Sequence, residues 1–65
     1  MLQLTELNGH EYFQNPDTIV RIDKNPDTTL TLITGKKVVV KETPEEVVDK
    51  YIEVKRKIFS VSGGL

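Results

Sequence analysis

At Thr43 the hydrophobic rhythm of the chain changes, and that change limits what it can fold into. Before Thr43, apolar residues tend to alternate with polar ones in short pieces cut by turn signals. After it, they recur every three or four positions. A period of two belongs to strands and a period near 3.6 to a helix. The chain therefore reads as strands first and one helix last.

Turn chemistry divides the first part. Asn8-Gly9 is a strong hairpin signal, because both residues tolerate the positive φ of a type I′ turn. It should join a strand at residues 2–7 to one at 10–14. Asn15-Pro16-Asp17 and Asn25-Pro26-Asp27 are the next two breaks, since proline lacks a ladder donor and Asn or Asp closes Asx turns. Between them, the β-branched stretch 18–24 reads as strand three. Residues 29–33 alternate Leu30 and Leu32 with threonines, and Thr34-Gly35 turns the chain into a fifth strand at 36–42.

Thr43-Pro44-Glu45-Glu46 is a full helix start. Thr43 is a good N-cap, Pro44 suits the first helical position, and Glu46 completes a capping box. Acidic residues in the first turn and Lys55-Arg56-Lys57 near the end complement the helix dipole. Glu46 with Lys50 and Glu53 with Lys57 are favourable four-apart pairs. The helix is expected from residue 44 to 58 or 59, with 60–65 as a flexible tail. The expected fold is α+β: a small antiparallel sheet or partly closed barrel of about five strands, then one C-terminal amphipathic helix. Residues 1–59 would form a single domain.

The apolar pattern exceeds what one small core needs. Val47, Tyr51, Val54 and Ile58 fall on one helical stripe, and Val48, Ile52 and Phe59 on an adjoining one. Together they span roughly 160°, against about 100° for a helix facing one core. Lys55 lies inside that arc, so its stem must snorkel. Among the strands, Leu2, Leu4, Tyr12, Val20, Ile22, Leu30, Leu32, Val38 and Val40 would share a buried face. Leu7, Phe13, Ile19, Ile33 and Val39 would then lie opposite, where a one-sided sheet should be polar. Either the sheet curls or that face meets a partner. Val48, Ile52, Phe59, Ile19, Ile33 and Val39 are thus the candidate surface for self-association or partner binding. Size points the same way. A chain of 65 residues without cysteine has no disulfide to supplement a marginal core, so a homo-oligomer is expected. A charge placed at Ile52 or Phe59 should dissociate or unfold the protein.

Chemistry on substrates finds little here. There is no cysteine for thiol catalysis or thiolate metal sites, and one histidine, His10, follows a turn. Asp17, Asp23 and Asp27 sit in or near turns, Glu45 and Glu46 serve the helix start, and no phosphate-cradling glycine loop is present. No catalytic, cofactor or metal residue is assigned, and the protein is read as not an enzyme. No apolar run approaches the roughly 20 residues of a membrane span, and the N-terminal residues do not read as a secretory signal. Without membrane insertion or disulfides, a cytoplasmic location is the expectation. The basic runs Lys36-Lys37 and Lys55-Arg56-Lys57, with Lys41, form a candidate basic patch. It supports an alternative reading as a nucleic-acid-binding regulator. Nine basic residues against ten acidic ones, and aromatics that do not interleave with the basic runs, speak against it.

The order of these pieces carries a resemblance. Leu4-Thr5-Glu6-Leu7-Asn8-Gly9, Asn15-Pro16-Asp17 with Ile19 and Ile22, and Pro26-Asp27-Thr28 come first. Leu30, Leu32, Gly35-Lys36-Lys37, Val39-Val40-Lys41-Glu42, Glu45-Glu46-Val47 and Lys55-Arg56-Lys57-Ile58 follow. In this sequence and spacing the chain resembles the flagellar FlbD family, also called the swarming motility protein SwrD family. Thr43-Pro44 departs from the serine and ordinary residue expected there, but preserves the cap. The resemblance implies an accessory protein of bacterial flagellar motility. Its SwrD branch is tied to motor torque from the stator units, and hence to swarming. It implies a flagellar motor or stator-associated protein as partner, and no enzymatic activity. The alternative reading becomes a regulator of flagellar gene expression.

Overall fold

The computed structural model describes the backbone of residues 1–63 and the side chains of residues 1–57. Two small antiparallel sheets precede one helix. Strands β1 (Leu2–Thr5) and β2 (Glu11–Gln14) form a hairpin in which Leu4 opposes Tyr12. A 3-10 turn at Pro16–Thr18 leads into a three-stranded meander, β3 (Ile19–Lys24), β4 (Thr28–Leu32) and β5 (Lys37–Val40). Helix α1 (Pro44–Gly63) follows. A single bridge, Glu6 to Val40, and a 2.8 Å bond from the Lys41 N–H to the Thr5 carbonyl join the hairpin to the β5 edge. The two sheets meet there without closing into a barrel.

Both hairpin loops are built alike. The Gly9 N–H donates to the Glu6 carbonyl at 2.9 Å, and the Gly35 N–H to the Leu32 carbonyl at 2.8 Å. Each glycine has φ near +90°, and no other described residue has positive φ. That excludes the type I′ turn expected at Asn8-Gly9, which needs positive φ at both positions. The pattern is a three-residue loop whose last residue is a left-handed glycine. Asn8 contributes differently: its side-chain oxygen accepts from the His10 N–H at 2.8 Å. The longer loops shorten the strands relative to expectation. Leu7 and Ile33 become loop residues, and Ile33 is 70 % exposed.

The helix start is as expected. The Thr43 hydroxyl accepts from the Glu46 N–H at 3.1 Å, and the Glu46 carboxylate accepts from the Thr43 N–H at 2.9 Å. Glu46 is thus occupied at the cap, and Glu53 leans toward Arg56 at 3.9 Å rather than Lys57. The helix runs past residue 59 to Gly63, so the segment expected as a tail begins inside it.

Leu2 and Leu4 from β1, Leu30 from β4, Val40 from β5 and Val47 from α1 are fully buried together. At about 1.5–3 kcal/mol for each large apolar side chain, this cluster is the main favourable contribution to folding. Tyr12, Ile19, Ile22, Val38 and Val54 are packed around it.

The face expected for Ile19 and Val20 is reversed. The register passes from Ile19–Leu32 to Arg21–Thr31, advancing two residues on β3 for one on β4. Val20 is the extra residue of a bulge. Ile19 and Ile22, three apart, therefore both turn inward, while Val20 is 61 % exposed. The opposite face of the meander carries Arg21, Asp23, Thr29, Thr31 and Lys37, so it is more polar than the sequence pattern suggested.

Candidate functional site

The apolar arc of α1 is divided between two tasks. Val47 and Val54 turn toward the core, and Val48, Tyr51 and Ile52 remain exposed. Beside them runs β3. Between the two elements lies an open groove of about 490 Å³, lined by Ile19, Val20, Arg21 and Ile22 of β3, Val47, Val48 and Tyr51 of α1, and Pro16 and Asp17 before β3. A neighbouring hollow continues it past Ile22 and Val48 to Pro44. Ile52 lies one helical turn beyond Val48, 46 % exposed. Val48, Tyr51 and Ile52 thus make an exposed apolar strip along one side of the helix, with Asp17, Arg21, Glu45 and Asp49 beside it.

Of the residues read from sequence as a partner surface, Val48 and Ile52 lie on this strip. Ile19 does not lie on an outer face; the bulge packs it against the core. Ile33 sits in the β4–β5 loop, its N–H bonded to the Thr18 carbonyl at 2.7 Å. Val39 is half-buried on the sheet side away from the helix, next to Leu7 and Lys36. Phe59 has its side chain outside the described residues. Sequence reasoning missed Val20 and Tyr51, both assigned to buried faces. A bulge leaves no signature in alternation, and Tyr51 lies at the margin between the helix's two stripes.

The basic residues lie at the two ends of β5 and on α1. Lys36 and Lys37 flank the β4–β5 loop, while Lys41 follows the far end of β5. Five residues of extended chain separate Lys36 from Lys41, about 16 Å. On the helix, the Lys55 ammonium donates to Asp17 at 3.1 Å and stands 5.5 Å from the centre of the Tyr51 ring. The hydrogen bond to Asp17 and the Asp17 charge, with the adjacent Tyr51 phenol, hold the Lys55 pKa above its ordinary value. This contact is where the snorkelling stem ends, and its partner Asp17 lines the groove. Of Lys36, Lys37, Lys41, Lys55, Arg56 and Lys57, Lys55 is thus paired with Asp17, and Arg56 stands 3.9 Å from Glu53.

One carboxyl, of Glu42, and one hydroxyl, of Tyr12, sit near the junction of the sheets. Burial opposes ionisation of Glu42, but the Thr5 N–H and hydroxyl both donate to it at 2.9 Å. With its own backbone N–H and the nearby Lys50, they hold its pKa below the ordinary value. The Tyr12 hydroxyl is buried without a protein partner. Burial, then the charges of Glu6 and Glu42, push its pKa up. Glu42 ties β1 to the corner before α1, and neither group lines the groove. Among the described residues no three metal-ligating side chains converge, and no helix is long and apolar enough to cross a membrane.

No curated protein and no solved structure matches the chain. A family model does: FlbD, described as flagellar and swarming motility proteins, matches residues 1–59. The match takes in all five strands, the cap and most of α1, the same span over which the order of turns and caps carried the resemblance. The chain belongs to the FlbD family of flagellar and swarming motility proteins.

Proposed function

We propose that this chain is a non-enzymatic accessory protein of bacterial flagellar motility. It supports motor torque and stator function, and hence swarming, by binding other proteins in the cytoplasm, and it self-associates. The observation that carries the reading is the uncovered apolar strip of Val48, Tyr51 and Ile52 beside Val20. A domain this small gains little by leaving four large side chains wet, and contiguous exposed apolar surface marks interaction sites. Family membership supplies the setting, and a chain with one histidine and no cysteine has few groups for catalysis.

The test is genetic and mechanical. Deleting the gene from its flagellated host, or replacing it with a Val48→Asp, Ile52→Asp variant, should lower torque on a tethered or bead-loaded motor and abolish swarming, with flagella still assembled. Normal torque in the deletion strain would refute the reading. Retarded DNA or RNA in a gel at low salt, weakening steeply as salt rises, would favour the regulator instead.

A further inference from the structure

We propose that two copies of this chain join edge to edge through β3, about a two-fold axis at Ile22, with the apolar strips of α1 meeting beneath the joined sheet. This deepens the self-association in the proposed function by naming its surface and register.

The outer edge of β3 is open. Strand β3 pairs only with β4, and among the described residues its other side is bonded only at its start, where the Ile19 N–H donates to the Pro16 carbonyl. The ladder shows which groups face that side. The Ile33 N–H bonds to Thr18, and the Leu32 N–H bonds to Lys36. Alternation along β4 then turns Thr29 and Thr31 toward β3, where they oppose Asp23 and Arg21. Ile22 and Lys24 consequently aim their N–H and C=O groups outward. An exposed row of this kind is a template for another strand.

Charge selects both the occupant and the register. A two-fold axis at Arg21, Asp23 or Lys24 would place like charges directly opposite, which destabilises a ladder. An axis at Ile22 places each Arg21 opposite Asp23 of the second copy. It also makes Ile22 a hydrogen-bonded pair with its own mate, so the two charged pairs take the closer, non-hydrogen-bonded positions. Arg21 and Asp23 already lie side by side in one copy, with Nε 2.8 Å from Oδ2. Two copies turn that pair into a closed square of alternating charges. The edge is self-complementary, as a two-fold interface requires.

The rest of the surface agrees. The bulge limits flat pairing to the residues after Val20. Val48 and Ile22 line the hollow beside the same edge, so pairing brings the exposed side of each α1 toward its mate.

The experiment exchanges charges between copies. Wild-type protein, at about 100 μM in sedimentation equilibrium, should dimerise. Arg21→Asp and Asp23→Arg should each weaken dimerisation at least about ten-fold, because each places like charges opposite at two positions. Mixed in equal amounts, the two variants should recover a dimer containing one of each. Loss of the pair within a chain is not repaired by mixing, so recovery isolates the contact between chains. Circular dichroism establishes that both variants fold. If either does not, an oxidised mixture of Arg21→Cys and Asp23→Cys reads the same register in a chain with no other thiol. The mixed disulfide should form in preference to either symmetric one. A wild-type monomer at this concentration would overturn the inference and the self-association together. Dimerisation unaffected by both charge variants, or no mixed disulfide, would overturn the β3 interface and leave self-association through another surface standing.

Discussion

One helix serves two sides of this molecule in opposite ways. Over β1 it is closed: Val47 packs against Leu2 and Leu4, and all three are buried. Over β3 it stands open, with Val48 and Val20 facing across a groove. The two sides use the same residue types, so hydrophobicity does not distinguish them. What differs is the strand beneath. Strand β1 presents leucines at alternate positions with no irregularity, whereas β3 spends one residue on a bulge that turns Val20 out. The closed side holds the fold. The open side leaves surface for association.

The comparison breaks most sharply in the core. Leu4→Ala should cost about 2–5 kcal/mol, because a fully buried leucine in a close-packed cluster leaves a cavity its neighbours cannot fill. Total stability is about 5–15 kcal/mol for ordinary domains, and a chain this short lies toward the low end, so the variant should be largely unfolded at ambient temperature. Val48→Ala, the same kind of truncation on the open side, should cost less than about 1 kcal/mol. Thermal melts followed by circular dichroism read both. Similar losses at the two positions would mean that the groove is part of the core.

The closed side also has a polar fastening. Glu42, at the corner between β5 and α1, accepts two hydrogen bonds from Thr5 of β1, 37 residues away in sequence. Glu42→Gln weakens both bonds and should cost about 1–2 kcal/mol, the lower range for bonds to a charged group because the site is partly wet. The pH dependence has a definite sign. A carboxyl whose pKa is lowered by folding stabilises above its ordinary value near 4.3, and that contribution is lost as pH falls through the folded value. Wild-type stability should therefore fall more steeply below about pH 4.3 than that of Glu42→Gln. Parallel acid limbs would show that Thr5 does not hold the carboxylate.

How much of this could be read from sequence depends on the kind of signal. Local chemistry was legible: Thr43 and Glu46 cap the helix as their spacing requires, and Gly9 and Gly35 mark the two tight loops. Turn type was less so, because Asn8 tolerates both the conformation expected and the one found. The side on which a residue lies was legible where strands are regular, as at Leu2 and Leu4, and failed at Ile19 and Val20. A bulge depends on how two strands meet, and neither strand encodes that alone. The same limit applies to the site. Val48 and Ile52 could be placed on one exposed stripe because a helix's geometry is fixed by its own sequence. The basic residues fall on separate pieces of chain, and no local signal says where those pieces come to lie. The Lys55 bond to Asp17 joins residues 38 apart and has no local signature.

Tyr12 sharpens the contrast from within the closed side. Its hydroxyl is buried without a protein partner, so removing it costs no bond to the protein. Tyr12→Phe should be neutral or stabilising by up to about 1 kcal/mol. Folding raises the phenol pKa, so wild-type stability declines as pH climbs above about 10, where the unfolded chain ionises first. The phenylalanine variant lacks that decline. A clear loss of stability at neutral pH would indicate that the hydroxyl is satisfied after all.

Ile52→Glu carries the smallest expected change in stability and divides the two sides most cleanly. Ile52 is exposed on the helix and has no place in the buried cluster, so the protomer should keep its melting behaviour to within about 0.5 kcal/mol when measured well below the association range. At higher concentration the outcome should reverse. Wild-type protein gains stability as it associates, because a partner that binds only the folded state shifts unfolding by mass action. The glutamate variant, which sets a charge in the strip that two copies must dry, should gain none. A melting temperature that rises with concentration in wild type and stays level in Ile52→Glu separates the two roles of α1 in one experiment. If both rise alike, the open side is not the surface through which this protein associates. If the variant melts early even when dilute, Ile52 belongs to the closed side, and the division of the helix fails.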